Sequence, residues 1–154
     1  MRICIATDAW HPQINGVVTT LTRTAETLRG WGHEVMVISP DQFTTIPCPT
    51  YPQIRLSMVT ATTIGRMLQD LDPAAVHIAT EGPLGLKARR WCRRHGMPFT
   101  TSYHTRFPEY VAARFPVPLK WLYGFMRWFH NAGAACMVAT PSLEADLKAH
   151  GFQH

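Results

Sequence analysis

The side chain best suited to chemistry is His104, within Ser102-Tyr103-His104-Thr105-Arg106. An imidazole donates and accepts hydrogen bonds near neutral pH, so a loop histidine can hold a hydroxyl-rich ligand or pass a proton. A lone histidine is also a common structural residue. Arg106 either steers an anionic group or is a solvated surface arginine. In Thr80-Glu81-Gly82-Pro83, the Glu81 carboxylate either accepts from ligand hydroxyls or helps start the following helix through the helix dipole. Asn15-Gly16-Val17 joins a loop to a helix. Free amides and the positive dipole end suit a phosphate there, and glycine lets it approach the backbone closely. The same glycine can simply turn the loop into the helix. Neither G-x-G-x-x-G nor G-x-x-x-x-G-K-[ST] is present. No Ser/His/Asp spacing suggests a triad, and no His/Asp cluster has metal-ligand spacing.

These residues need elements to position them. Arg2 to Thr7 is a short apolar run that predicts a buried strand, followed by a loop from Asp8 to Asn15. Val17 to Trp31 has helical spacing at Val17, Leu21, Ala25 and Leu28, with Gly30 and Gly32 marking its end. Further strands are expected over 33–39, 54–58, 75–79, 98–103 and 134–139. Helices are expected over 62–71, 84–95, 119–131 and 142–150, the last capped by Ser142, with a helical start over 105–115. Pro47, Pro49 and Pro52 make 40–52 read as irregular. Strands alternating with helices predict an α/β, Rossmann-like, doubly wound parallel sheet. Ligands of such sheets bind at the carboxyl ends of the strands, where all three loops lie.

Composition narrows the class. The 154 residues suffice for one domain with a real core, and 46% apolar against 16% charged residues excludes a disordered chain. The net charge of +5 suits a phosphorylated ligand, nucleic acid or an anionic membrane. Cys4, Cys48, Cys92 and Cys136 form no CxxC pair and read as reduced thiols of a cytosolic protein. The apolar run after Met1-Arg2 is too brief for a signal peptide, and no stretch is long enough to span a membrane. The expected location is cytoplasmic, extending to peripheral attachment at the cytoplasmic face of a membrane. Lys87, Arg89, Arg90, Arg93 and Arg94 crowd one helix. The segment from Pro116 to His130 is apolar nearly all round, apart from a stripe of Lys120, Gly124, Arg127 and Asn131. Such a helix is either buried or rests on anionic lipid with aromatic side chains inserted. Nucleic acid fits less well, because no recognised motif accompanies the charge.

Three segments together resemble a known family. Ala6-Thr7-Asp8-Ala9-Trp10-His11-Pro12-Gln13-Ile14-Asn15-Gly16-Val17-Val18 looks like the opening loop of retaining glycosyltransferases with two Rossmann-like domains, the GT-B type. Thr80 to Gly85 and Thr101 to Tyr110 look like the branch containing GDP-mannose-dependent α-mannosyltransferases and sugar–diacylglycerol synthases.

The resemblance implies that residues 1–154 form the N-terminal, acceptor-side domain and that the nucleotide-sugar-binding C-terminal domain, with its Glu-x7-Glu motif, is absent. It implies hexosyl, in particular mannosyl, transfer from a nucleotide-sugar such as GDP-mannose to a lipid or glycan acceptor, with retention at the anomeric carbon. This chain would be one half of the cleft. It places His104 near the transferred sugar as the catalytic residue. Gly16 and Asn15 would lie by the donor diphosphate, where relatives commonly carry two glycines. Asp8, Glu81, Arg106 and Tyr110 would lie near acceptor or sugar. No cofactor and no metal is expected, the leaving diphosphate being handled by a helix end and basic side chains. The alternative is a non-catalytic module that holds an acceptor or a membrane surface.

Overall fold

The computed structural model describes residues 1–154, which form two compact units, Met1–Phe99 and Thr100–His154. In the first unit, β1 (Arg2–Ala6) lies between β2 (Glu34–Ile38) and β5 (Ala75–Ile78), all parallel. Ile3 faces Val35 on one side and Ala75 on the other, and Ala6 faces Ile38 and Ile78. The apolar run of β1 reflects burial on both faces. Ile3 and Ile5 join Leu21 and Ala25 of α1 (Gly16–Gly30) in one core cluster with Val35, Val37 and Ala79. Cys4, out of phase by one residue, points to the other face, the side of Cys92 of α3 (Pro83–His95), and both thiols are fully buried.

Helix ends follow local chemistry. Gly32 (φ 84°) and Gly96 (φ 63°) take the left-handed conformation just beyond α1 and α3, which glycine adopts without strain. α2 (Ala61–Leu71) starts on a Thr60 side-chain cap and ends at Asp72, also left-handed at φ 47° and paired to Arg2 at 2.8 Å.

The region expected to be irregular contains a one-turn 3₁₀ helix, Pro40–Gln42, and the strand β3 (Thr45–Cys48). β3 pairs antiparallel with β4 (Tyr51–Ser57) in a two-stranded ribbon of its own. Prolines deny ladder donors, yet a two-stranded ribbon has only one paired edge per strand, so Pro47 and Pro52 are accommodated.

In the second unit, β6 (Phe99–Ser102, from Thr100 onward) pairs parallel with β7 (Ala135–Met137), Thr100 opposite Ala135 and Ser102 opposite Met137. Three helices accompany them: α4 (Phe107–Ala112), α5 (Leu119–His130) and α6 (Pro141–Ala149). Tyr103, Tyr123, Met126, Leu147 and Phe152 form their core, with Phe107 and Phe125 against it. α6 is capped by Thr140, not Ser142: the Thr140 hydroxyl accepts from the Leu143 amide at 3.2 Å, and Pro141 takes the first helical position. The α/β, Rossmann-like class expected from the sequence is the one observed.

α5 is neither wholly buried nor wholly exposed. Tyr123, Met126, Phe129 and His130 face the core. Trp121 and Trp128, seven positions apart and so on one side, are 65% and 53% exposed. No helix of the chain is long and apolar enough to cross a membrane.

Candidate functional site

In the first unit, α1 begins at Gly16. Asn15 takes the N-cap position: its Oδ1 accepts from the Val18 amide at 3.0 Å, and its carbonyl accepts from the Thr19 amide at 3.1 Å. Its Nδ2 donates to Gln13 Oε1 at 3.4 Å. Asn15, expected by a diphosphate, is therefore already engaged in starting the helix. The Gly16 and Val17 amides lie ahead of these bonds at the positive end of a fifteen-residue helix. A Cβ on Gly16 would meet nothing within 4 Å. Gly16 itself is exposed.

Asp8 and the segment from Thr80 to Gly85 are joined directly. Asp8 follows β1, and its carboxylate caps α3 from far along the chain. Oδ1 accepts from the Leu84 amide at 2.8 Å, and Oδ2 accepts from the Thr80 hydroxyl at 2.8 Å and the Gly85 amide at 3.3 Å. Thr80 Oγ1 in turn accepts from the Asp8 amide at 2.7 Å. The residue at the N-cap of α3 is Gly82, which has no side chain to do this. A Cβ on Gly82 would sit 2.4 Å from the Asp8 Cγ, and one on Gly85 would sit 1.9 Å from the Thr80 carbonyl oxygen. Both glycines are therefore required by close approach.

Asp8 is buried, 7% exposed. Burial pushes its carboxyl pKa above the ordinary range, and the bonds from Leu84, Thr80 and Gly85 pull the other way. The side chain expected to touch an acceptor is spent on the scaffold that holds the Glu81 turn. Glu81 itself is half-buried in that turn, between β5 and α3.

In the second unit, His104, Arg106 and Tyr110 lie on one short segment after β6. Tyr103 anchors its start, with its ring in the core and its amide donating to the Met137 carbonyl at 2.9 Å. His104 follows, half-buried, in the turn before α4. Arg106, expected to meet an anionic ligand, has its Nη1 3.5 Å from Asp146 Oδ2 of α6 and 3.9 Å from Glu109 Oε1. Tyr110 is 43% exposed, and the Arg114 guanidinium lies 4.1 Å above its ring.

Three residues of this unit, Glu109, Tyr123 and His150, make contacts that no sequence spacing signals. The Tyr123 hydroxyl of α5 donates to Glu109 Oε1, and burial together with that bond pushes the Tyr123 pKa up. The His150 ring stacks on Tyr123 at 3.9 Å, nearly parallel. Fourteen positions separate Tyr123 from Glu109, too many for any helical or strand spacing to reveal the pair.

A family model described as Glycosyltransferase Family 4 matches residues 14–154. The chain belongs to that family. It is 25% identical over 170 aligned positions to a GDP-mannose-dependent alpha-mannosyltransferase of Mycobacterium tuberculosis, covering 99% of this chain and 45% of the relative. An enzyme of the same description from Mycolicibacterium smegmatis is 25% identical over 169 positions, covering 97% and 45%. An alpha-monoglucosyldiacylglycerol synthase of Acholeplasma laidlawii is 30% identical over 126 positions, covering 72% and 31%. The chain thus spans less than half the length of these curated relatives. The resemblance to a GT-B glycosyltransferase N-terminal domain, drawn from three motifs, agrees with this family.

Proposed function

We propose that this chain is the acceptor-side half of a cleft that transfers a hexosyl group, mannosyl in particular, from a nucleotide-sugar to a lipid or glycan acceptor, with retention at the anomeric carbon. The observation that carries the reading is the family match over residues 14–154. The names of the mannosyltransferase relatives support GDP-mannose as donor, and that of the synthase supports a lipid acceptor.

Within that reading, the Gly16 and Val17 amides at the start of α1 receive the donor diphosphate, in the open space that Gly16 leaves. Their positive end stabilises charge on the leaving diphosphate without a metal. His104 holds the transferred sugar and stabilises charge in the transition state. Glu81 and Tyr110 meet acceptor or sugar hydroxyls. Asp8 and Asn15 act behind them, Asp8 by fixing the Glu81 turn and Asn15 by starting α1. A second domain, carried by the remaining length of the relatives, closes the donor side. The enzyme works from the cytoplasm against an anionic membrane. Supporting this are the outward Trp121 and Trp128 on α5 and, separately, the exposed Arg90, Arg93 and Arg94 on α3.

The test is release of nucleoside diphosphate from a panel of nucleotide-sugars by enzyme comprising this chain and its donor-side domain. GDP-mannose is expected to turn over. His104→Ala is expected to abolish transfer with the fold intact. Gly16→Ala is expected to weaken donor binding without lowering the melting temperature, because its Cβ meets nothing in the chain. Normal turnover by His104→Ala removes that residue from the mechanism. Absence of transfer from every donor favours the non-catalytic binding module.

A further inference from the structure

α4 is a six-residue helix whose N-cap residue, Arg106, makes no capping bond. A helix that short does not hold itself in water, so its position must come from what it touches. Two groups of contacts hold it. Phe107 rests on the core cluster, and Pro108 is buried. The other group is polar. Glu109 Oε1 accepts from the Tyr123 hydroxyl, and Arg106 reaches both Glu109 and Asp146. Tyr123 is itself pinned from the other side by the His150 ring.

The polar group holds the helix by direction as well as by contact. Glu109 Oε2 is buried and has no hydrogen-bond partner. The side chain as a whole is 38% exposed, so the bond to Tyr123 is made at the edge of the core, where its direction fixes how α4 sits. Upstream, Tyr103 is fixed by its ring and by its amide bond to Met137. His104 lies between that anchor and the Glu109–Tyr123 bond, so the two ends together set the turn that carries the imidazole.

We propose that Glu109 and Tyr123 are positioning residues for His104. They touch neither sugar nor diphosphate; they fix the backbone from which the imidazole projects. The inference rests on the reading that His104 faces the transferred sugar, but its test does not use turnover.

The test is the imidazole spectrum of the 154-residue chain in proton–carbon correlation NMR, with the His104 cross-peak assigned by its loss in His104→Gln. Three variants are compared with the parent. Tyr123→Phe removes only the hydroxyl and keeps the ring for His150. Glu109→Gln keeps an oxygen that accepts from Tyr123 but removes the charge facing Arg106. The double variant Glu109→Leu/Tyr123→Phe replaces both polar partners with apolar groups and is expected to melt close to the parent.

The expected result is a displaced His104 cross-peak in Tyr123→Phe and in the double variant, and a near-parental peak in Glu109→Gln. The His11 and His33 peaks, in the first unit, are expected to stay fixed. A parental His104 peak in the double variant overturns the proposal, leaving the pair a purely structural contact. Because the readout is a resonance, a fully active His104→Ala enzyme and an unmoved His104 signal are separate failures.

Discussion

Replacing Asp8 by alanine tests whether the first loop is built around a distant helix end. The substitution removes the acceptor for the Leu84 amide at 2.8 Å, the Gly85 amide at 3.3 Å and the Thr80 hydroxyl at 2.8 Å. Each buried amide left without an acceptor costs about 1–3 kcal/mol, and losing a capping carboxylate at a helix N-terminus costs about 0.5–2 kcal/mol. The two figures overlap, because the Leu84 and Gly85 amides are the capped groups. Removing a carboxyl whose burial is unfavourable offsets part of the loss. The net destabilisation is therefore about 2–4 kcal/mol, or roughly 4–16 °C in Tm for a domain of this size. Asp8→Asn keeps an oxygen for Leu84 but offers Gly85 an amide that cannot accept, so its loss is smaller, about 1–2 kcal/mol. Thermal and denaturant unfolding of parent and variants gives the ranking.

The pH dependence has a defined sign. A carboxyl whose folded pKa is raised contributes stability that is fully present below its unfolded pKa and is lost as pH rises through the folded value. The advantage of the parent over Asp8→Asn is thus expected to be largest in acid and to shrink across that window. A parent and an Asp8→Ala variant that melt together, or an advantage that grows with pH, refutes the reasoning.

Gly85→Ala places a methyl 1.9 Å from a backbone oxygen and is expected to cost about 3 kcal/mol or more, read by the same melts, whereas Gly16→Ala is expected to leave stability unchanged or slightly raised. Trp121→Ser/Trp128→Ser is expected to weaken co-sedimentation with vesicles rich in anionic lipid while leaving the melting temperature within a few degrees, since both rings are more than half exposed; equal binding of parent and variant counts against α5 as the insertion surface. Burial pushes the thiols of Cys4 and Cys92 up to about 12, so a thiol-alkylating reagent is expected to modify the half-buried Cys48 and Cys136 in the native chain and to reach the other two only on unfolding, as mapped by mass spectrometry.

Much of the fold was legible because it is written in local pattern. The apolar run of β1, the helical spacing of Leu21, Ala25 and Leu28, and the glycine stop at Gly96 each reflect a period or a backbone conformation that neighbours alone determine. The β3–β4 ribbon was hidden by its prolines, which mark irregular chain unless the strand has a free edge. Ser142 has the residue type of a helix cap, yet Pro141, which favours the first helical position, is the signal that puts the cap of α6 at Thr140. The site divides the same way. That His104 follows a strand was readable; that Arg106 is tied to Asp146 was not, because the partners are 40 positions apart. Gly82 and Gly85 were visible as glycines, but what needs their bareness was not: for Gly82 it is the Asp8 carboxylate at the end of another strand, for Gly85 the Thr80 carbonyl folded back over the helix start.

That separation has a consequence for how the molecule is made. The bond from the Leu84 amide to Asp8 spans 76 positions, so the start of α3 cannot be secured by anything nearby in the chain. β1 and β5 must first be side by side, and closing so long a loop is slow and entropically costly. In native-state hydrogen exchange, the Leu84 amide should then be released only by large-scale opening, at rates matching the interior strands, whereas most first-turn helix amides exchange by fraying.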